Sequence, residues 1–145
     1  MNRWITRSPE ETAQCGSTFG ATLRAGDVVG LIGELGSGKT QFVTGVCDAL
    51  HARGHVTSPT FTLIHEYPAG DLTVAHADMY RIGSLREAVD LGLMDYFQPP
   101  FVTLVEWADR VLDLLPPERY LVRLSHRTDP REREISVESA AGDRP

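Results

Sequence analysis

One lysine, Lys39, stands among the 14 basic residues of this 145-residue chain, and the other 13 are arginines. Basic residues as a whole are outnumbered by 20 acids, for a net charge of -6. That balance argues against a broad basic face for nucleic acid, although a local patch on an acidic protein stays open. Cysteine is nearly absent. Cys15 and Cys47 sit in no C-x-x-C pair and have no histidine at zinc-finger spacing, so they read as buried free thiols in a reducing, cytoplasmic setting. The five histidines are scattered without ligand pairing, which speaks against a histidine metal site. No stretch approaches the roughly 18 uninterrupted apolar residues of a membrane span, and Met1 to Ile5 lacks the apolar core of a signal peptide, so neither spanning nor export is expected. Internal repeats and low-complexity linkers are missing too. A chain of this length buries enough surface to hold itself together without a metal or disulfide.

What is present begins with Gly33-Glu34-Leu35-Gly36-Ser37-Gly38-Lys39-Thr40. These residues fit the phosphate-binding pattern G-x-x-x-x-G-K-[ST] without a gap. The apolar run from Val28 to Ile32 before it reads as a buried parallel strand. The segment from Thr40 to Arg53 after it carries Phe42, Val43, Val46 and Leu50 at helical spacing. Strand, glycine loop and helix is the context in which such a loop points successive N–H groups into one anion-sized hollow at a helix N-terminus. In that arrangement Lys39 reaches the β- and γ-phosphates, and the Thr40 hydroxyl is offered to Mg2+. The N-K-x-D base-recognition motif of GTPases is absent, which disfavours GTP, while the residues alone leave the base undetermined.

Around this loop the pattern predicts further elements. Ser8-Pro9-Glu10-Glu11 opens a helix with an N-cap serine, a proline in the first turn and a capping-box glutamate, running to about Arg24. Gly54 is the expected C-cap of the helix that follows the glycine loop. Thr57 to Thr62 then reads as a loop facing the phosphates, because Pro59 bars a continuous central strand. Thr62–Tyr67 and Leu72–His76 form a hairpin around Pro68-Ala69-Gly70-Asp71. Ser84-Leu85-Arg86-Glu87 opens another helix with Leu85, Val89, Leu91 and Leu93 available for packing, broken near Gly92. Phe101–Val105 is a buried strand, followed by a short helix up to Pro116-Pro117. Tyr120–Leu124 and Glu134–Val137 are late strands, and 138–145 is a polar tail expected to fray. The sum is an α/β fold: a P-loop NTPase-like three-layer sandwich with a mixed, mainly parallel central sheet, helices on both faces and an antiparallel hairpin.

A glycine loop needs a carboxylate for Mg2+ and a group that orients the attacking molecule. Asp78 and Glu106 each end a predicted strand, where open α/β sheets bind ligands. Glu106, behind a continuous hydrophobic strand, is the stronger candidate, and Asp78 is placed to hold the metal from the hairpin side; each also reads as an ordinary strand-end acid. Thr60 is placed like a switch threonine against γ-phosphate or Mg2+, with a turn-capping role equally open. His76 reads as a packed or hydrogen-bonded neighbour. Arg81 reads as a partner anchor, a phosphate contact or one half of an ion pair, and Tyr80 as a core residue. Arg127, Arg131 and Arg133, interleaved with Asp129, Glu132 and Glu134, read as a contact for nucleotide or tRNA or, more in keeping with the acids, as a mixed solvated surface.

Taken in order, GELGSGKT, TSPTFTLIHEY, HADMYRI and LVEWADR resemble the small bacterial ATPase family TsaE, also called YjeE, over about Ser8 to Val137. The S-P-T-F and E-W elements are far more specific than the glycine loop. The resemblance implies a single P-loop ATPase domain over 1–137 that binds ATP and Mg2+. It implies a requirement in the threonylcarbamoyladenosine modification at position 37 of tRNAs reading ANN codons. In that family TsaD carries the transfer, TsaB is the other partner, and ATP hydrolysis lets the complex turn over; tRNA is met indirectly. Carried onto this chain, Gly33, Glu34, Leu35, Gly36, Ser37, Gly38, Lys39, Thr40 and Gln41 would surround the nucleotide, with Trp107 packed beside it or at the partner surface. Thr40 and Glu106 would hold Mg2+ directly or through water, with Asp78 supporting metal or water. Ser58 to Phe61, including Thr60, would form a mobile switch. The family commonly has Asp for Glu34, Ala for Ser37, Phe for Ala77 and Leu for Met79, and none of these departures removes a donor or ligand. A small-molecule kinase and a nucleotide-gated binding module are the other classes the residues allow; the short S-P-T-F segment in place of an arginine-rich lid favours the ATPase.

Overall fold

Strand β2, Val28–Ile32, shows how the layers arise. Alternate side chains of a strand point to opposite faces, and here Val29 and Leu31 enter one hydrophobic cluster while Val28 enters another on the far side. A strand buried on both faces must lie in the middle of a three-layer structure. The computed structural model, which describes residues 2–54 and 63–139, places it so. The remaining strands are β1 (Asn2–Thr6), β3 (Ile64–Ala69), β4 (Leu72–Asp78), β5 (Phe101–Glu106), β6 (Tyr120–His126) and β7 (Arg133–Ser139). They form one seven-stranded sheet in the order β1-β7-β6-β2-β5-β4-β3. Helices α1 (Pro9–Gly20) and α2 (Lys39–Ala49) supply the core of one face with Phe19, Phe42, Val43 and Val46. The short α3 (Leu85–Asp90) and the 3-10 turns Leu93–Tyr96, Ala108–Arg110 and Leu112–Leu114 belong to the other face, built on Met79, Ala88, Leu93 and Val111.

The sheet is mixed, as expected, but it is not mainly parallel. The four central strands β6, β2, β5 and β4 run parallel, while β1–β7, β6–β7 and β3–β4 are antiparallel, so the six pairings divide evenly. β1 was not legible in the sequence, since five mixed residues carry little strand signal alone. Its structure comes from the open edge of β7, with Trp4 opposite Ile135.

Local chemistry explains the element ends. The Ser8 hydroxyl accepts the Glu11 N–H at 3.1 Å and the Glu11 carboxylate accepts the Arg7 N–H at 2.9 Å, which fixes the start of α1. That helix stops at Gly20 rather than near Arg24. α2 likewise ends at Ala49, short of Arg53, and the left-handed residue that follows is His51 at φ 59°, with Gly54 beyond it. Pro68 and Ala69 belong to β3, so the hairpin turn is only Gly70-Asp71. Proline is tolerated there because β3 is the sheet edge. α3 is correctly started by the Ser84 hydroxyl, which accepts the Glu87 N–H at 3.2 Å. Leu85, Val89 and Leu91, however, are exposed, and only Leu93 of the four expected packers is buried. β7 continues through Glu138 and Ser139, two residues into the segment expected to fray.

The two long helices touch backbone to backbone. A Cβ on Gly45 would lie 1.8 Å from the Ala13 carbonyl oxygen, and one on Gly16 would lie 2.1 Å from the Phe42 carbonyl oxygen. Glycine is therefore required at this crossing for space rather than for dihedral freedom. Gly45→Ala should lower stability by about 2–3 kcal/mol or more through overpacking, a fall in melting temperature on the order of 5–10 °C. Gly70→Ala, in open space but at φ 67°, should cost only about 1–2 kcal/mol. Thermal denaturation of the two variants checks the order.

Candidate functional site

Parallel pairing brings the chemistry together. Asp78 at the end of β4 is the register neighbour of Glu106 at the end of β5. Both lie at even-numbered positions with Val74, Val102 and Leu104, on the face that α1 and α2 cover. The loop after β2 climbs past the same sheet end and turns into α2 at Lys39. Two left-handed glycines make the turn, Gly36 at φ 76° and Gly38 at φ 101°. Gly38 is the N-cap of α2 and offers no side-chain cap, so the first N–H groups of the helix, with the positive end of its dipole, are left to an anion.

The loop is braced from outside. His126 Nε2 donates to the Leu35 carbonyl at 3.3 Å and Arg133 Nε donates to the Gly36 carbonyl at 3.1 Å. Inside, Ser37 N–H donates to the Glu34 carbonyl at 3.1 Å, while the Ser37 hydroxyl is buried without a described partner.

Lys39 is buried to 6% exposure. Its ammonium donates to the Gly33 carbonyl and lies 3.7 Å from the centre of the Trp107 ring. Burial pushes its proton affinity below the ordinary lysine range, opposed by the negative charges of Glu106, Asp78 and Asp109. Trp107 reaches that position from a left-handed backbone, φ 57°, directly after β5, a conformation that costs a non-glycine residue about 1–2 kcal/mol. Tyr80 packs on the indole with centroids 4.9 Å apart and is 43% exposed, so it is not a core residue.

Asp78 is held above the usual carboxylate range chiefly by burial and then by the neighbouring Glu106 charge. A hydrogen bond from the Tyr80 N–H, 2.9 Å, works in the opposite direction. Glu106 is almost wholly buried and meets the fully buried His76, Nε2 to Oε2 2.5 Å.

Lys39, Asp78, Tyr80, Glu106 and Trp107, but not His76, line a cleft of about 740 Å³. Leu35, Gly36, Ser37, Gly38, Lys39, Thr40, Gln41, Asp78, Glu106 and Trp107 all face it, whereas Gly33 and Glu34 do not. Gly33 is instead pressed on β6, where a Cβ would come within 2.6 Å of the Leu124 carbonyl oxygen. Thr60 lies outside the described residues, as does the rest of the expected Ser58–Phe61 switch. Arg81, Arg131 and Arg133 line the cleft, and Arg81 forms no ion pair with any described residue. Arg127 is tied instead to Glu132 and Glu134 at 3.0 Å each. Arg7, Ser8 and Thr12 also line it and were not anticipated; they arrive because β1 pairs with β7, a contact without local sequence signature. Among the described residues no group of three His, Cys, Asp or Glu side chains is arranged for a metal. The Thr40 hydroxyl and the Asp78 and Glu106 carboxylates nevertheless form an all-oxygen set, the donor chemistry that suits Mg2+ when it is shared with phosphate and water. Cys15 and Cys47 are free and buried away from the cleft, their thiols pushed up to about 11 and about 12 by desolvation.

Known proteins resemble this chain over most of its length. The family model described as "Threonylcarbamoyl adenosine biosynthesis protein TsaE" matches residues 6–135. A TsaE from Bacillus subtilis is 42% identical over 98% of this chain and 87% of its own length. One from Treponema pallidum is 40% identical over 93% and 98%. Among solved structures, YdiB of Bacillus subtilis superposes with a TM-score of 0.81 at 38% identity, covering 97% of this chain and 86% of that one.

The raised proton affinity of Asp78 has a stability consequence. A carboxyl whose folded value lies above its unfolded value loses stability as pH rises from the ordinary 3.8 through the raised value. At neutral pH the folded protein therefore carries the cost of a half-buried, like-charged carboxylate. Asp78→Asn keeps an oxygen for the Tyr80 N–H and removes that charge. Its melting temperature should exceed the wild type's at pH 7, with the difference vanishing as pH falls below 3.8; thermal scans across pH check the sign.

Proposed function

The chain belongs to the TsaE family of threonylcarbamoyl adenosine biosynthesis proteins, and we propose that within this tRNA modification pathway it is a P-loop, Mg2+-dependent ATPase. The observation that carries the reading is the buried Lys39 ammonium, set at an uncapped helix N-terminus between a glycine loop and two strand-end carboxylates. The open N–H groups of Gly38 and the first turn of α2 call for an anionic group, and the Lys39 ammonium beside them is a charged donor for the same group. A polyphosphate satisfies both.

In this reading the N–H groups of the loop and of the helix start cradle the β- and γ-phosphates. Lys39 exchanges the Gly33 carbonyl for phosphate oxygens. Thr40 and Glu106 hold Mg2+, which when bound neutralises charge developing on the phosphate oxygens. Asp78, beside Glu106, supports the metal or orients the water that attacks the γ-phosphorus as its bond to the bridging oxygen breaks, leaving ADP and phosphate. Trp107 and Tyr80 close one wall against solvent. The choice of ATP rests on the family resemblance of the motifs, and the missing N-K-x-D motif speaks against GTP without selecting ATP.

Hydrolysis serves turnover of a TsaD–TsaB complex that acts at position 37 of ANN-reading tRNAs, with tRNA met through the complex. Support for indirect contact comes from the net charge of -6 and from the acid pairing of Arg127 and Arg131. The two free, buried thiols suit a cytoplasmic protein, and no helix among the described residues is long and apolar enough to cross a membrane.

Phosphate release from ATP, measured for the protein alone and with TsaB and TsaD, tests the reading. Stimulation by the partners that disappears in Lys39→Ala is the expected result, with a loss on the order of a hundredfold or more. Glu106→Ala should abolish Mg2+-dependent hydrolysis while leaving nucleotide bound. Partner-independent phosphate transfer to a small molecule would move the assignment to a kinase. Trp107 gives a separate readout: drawing the Lys39 ammonium off the indole should change its emission on Mg-ATP binding, a change retained in Trp4→Phe and lost in Lys39→Ala.

A further inference from the structure

His76 has no part in the mechanism above, yet it is a buried polar side chain in direct contact with a residue of the site. It is completely buried, with 0% exposure. Strand periodicity puts it on the same face as Asp78, two residues on, and beside the strand that carries Glu106. Its Nε2 meets Glu106 Oε2 at 2.5 Å. The Tyr67 ring packs beside the imidazole, centroids 6.3 Å apart at 38°. Nδ1 is buried and has no partner among the described residues. A histidine retained for packing alone would not hold one nitrogen on a buried carboxylate and leave the other without a donor, since an apolar side chain of similar size would fill the space at less cost. The contact engages one carboxylate oxygen, Oε2, of a residue that also lines the cleft.

We propose that His76 is a positioning residue for Glu106: its Nε2–H donates to Oε2, locks the carboxylate rotamer, and presents the second oxygen toward the Mg2+ and phosphate end of the cleft. This rests on the reading of Glu106 as a metal-holding carboxylate. A free carboxylate on a flexible side chain would have to be ordered each time the metal binds. Here the ordering is built in by a side chain that does not itself line the cleft. Partners that orient a ligand in this way are worth roughly tenfold to a hundredfold in metal affinity.

The test compares His76→Leu, which removes the donor, with His76→Gln, whose amide nitrogen occupies the place of Nε2. Far-UV circular dichroism first establishes that each variant is folded. Two quantities are then measured by calorimetry: the affinity for a non-hydrolysable ATP analogue in EDTA, and the Mg2+ dissociation constant on protein saturated with that analogue. His76→Leu should leave the first unchanged and raise the second roughly tenfold or more, and His76→Gln should recover most of the loss. In a Glu106→Gln background His76→Leu should add nothing, because its effect passes through that carboxylate. Equal impairment of Leu and Gln variants, an undiminished effect of His76→Leu in the Glu106→Gln background, or parallel loss of Mg2+-free binding would reduce His76 to a core residue. Such results would leave the ATPase assignment standing if Glu106→Gln alone still weakened Mg2+. A wild-type protein whose nucleotide binding ignores Mg2+ would overturn the reading of Glu106 and this proposal with it.

Discussion

A single ammonium group kept out of water sets the terms for the rest of the site. Lys39 begins α2 and is buried to 6% exposure. Desolvating such a group is costly unless its donors and its charge are both answered. The Gly33 carbonyl takes a hydrogen bond, the Trp107 ring offers its electron-rich face, and Glu106 and Asp78 supply negative charge. Each of these answers imposes a structural demand. The carbonyl must come from a loop that doubles back on itself, which requires Gly36 and Gly38 at positive φ. The indole must turn over the end of β5, and the left-handed backbone of Trp107 is what places it there. The carboxylates must end adjacent parallel strands in register.

Those demands propagate into packing. α2 can hold Lys39 at the sheet end only if it lies firmly on β2 and its neighbours, and it does so through Phe42, Val43 and Val46. α1 locks it there by approaching at backbone contact through Gly16 and Gly45. On the opposite face the support is lighter, a six-residue helix and three 3-10 turns. That difference is in keeping with a site whose two carboxylates lie on the α1–α2 face. The 33–38 loop is completed from a third direction by β6 and β7, through His126 and Arg133.

Much of this was legible because the relevant signals are local. Val28–Ile32 is a strand with the expected bounds, since a five-residue apolar run before a glycine loop has few other fates. Ser8 and Ser84 start helices because a side-chain oxygen three residues before a free N–H is a short-range interaction. Asp78 and Glu106 stand together at a sheet end because both follow apolar strands. What failed was long-range. The helix starting after Ser84 exposes Leu85, Val89 and Leu91, because a six-residue helix interrupted at Gly92 turns Leu93 inward on a separate 3-10 turn instead of continuing one apolar stripe. Tyr80 was read as a core aromatic and is a partly exposed wall of the cleft, a difference decided by where Trp107 happened to be.

The sequence by itself determined the phosphate-type loop, its placement between strand and helix, the capped helix starts and the two acids at strand ends. Each of these follows from backbone geometry and side-chain chemistry within a few residues. Only the tertiary structure decided which distant groups share the cleft. Arg7 and Thr12 arrive through pairing of the two chain ends, and Lys39 meets Trp107 across an interval of the chain that no local pattern spans. His76 is bound to Glu106 for the same reason: sheet register, set by burial on both faces, makes neighbours of residues whose own sequence surroundings carry no record of each other.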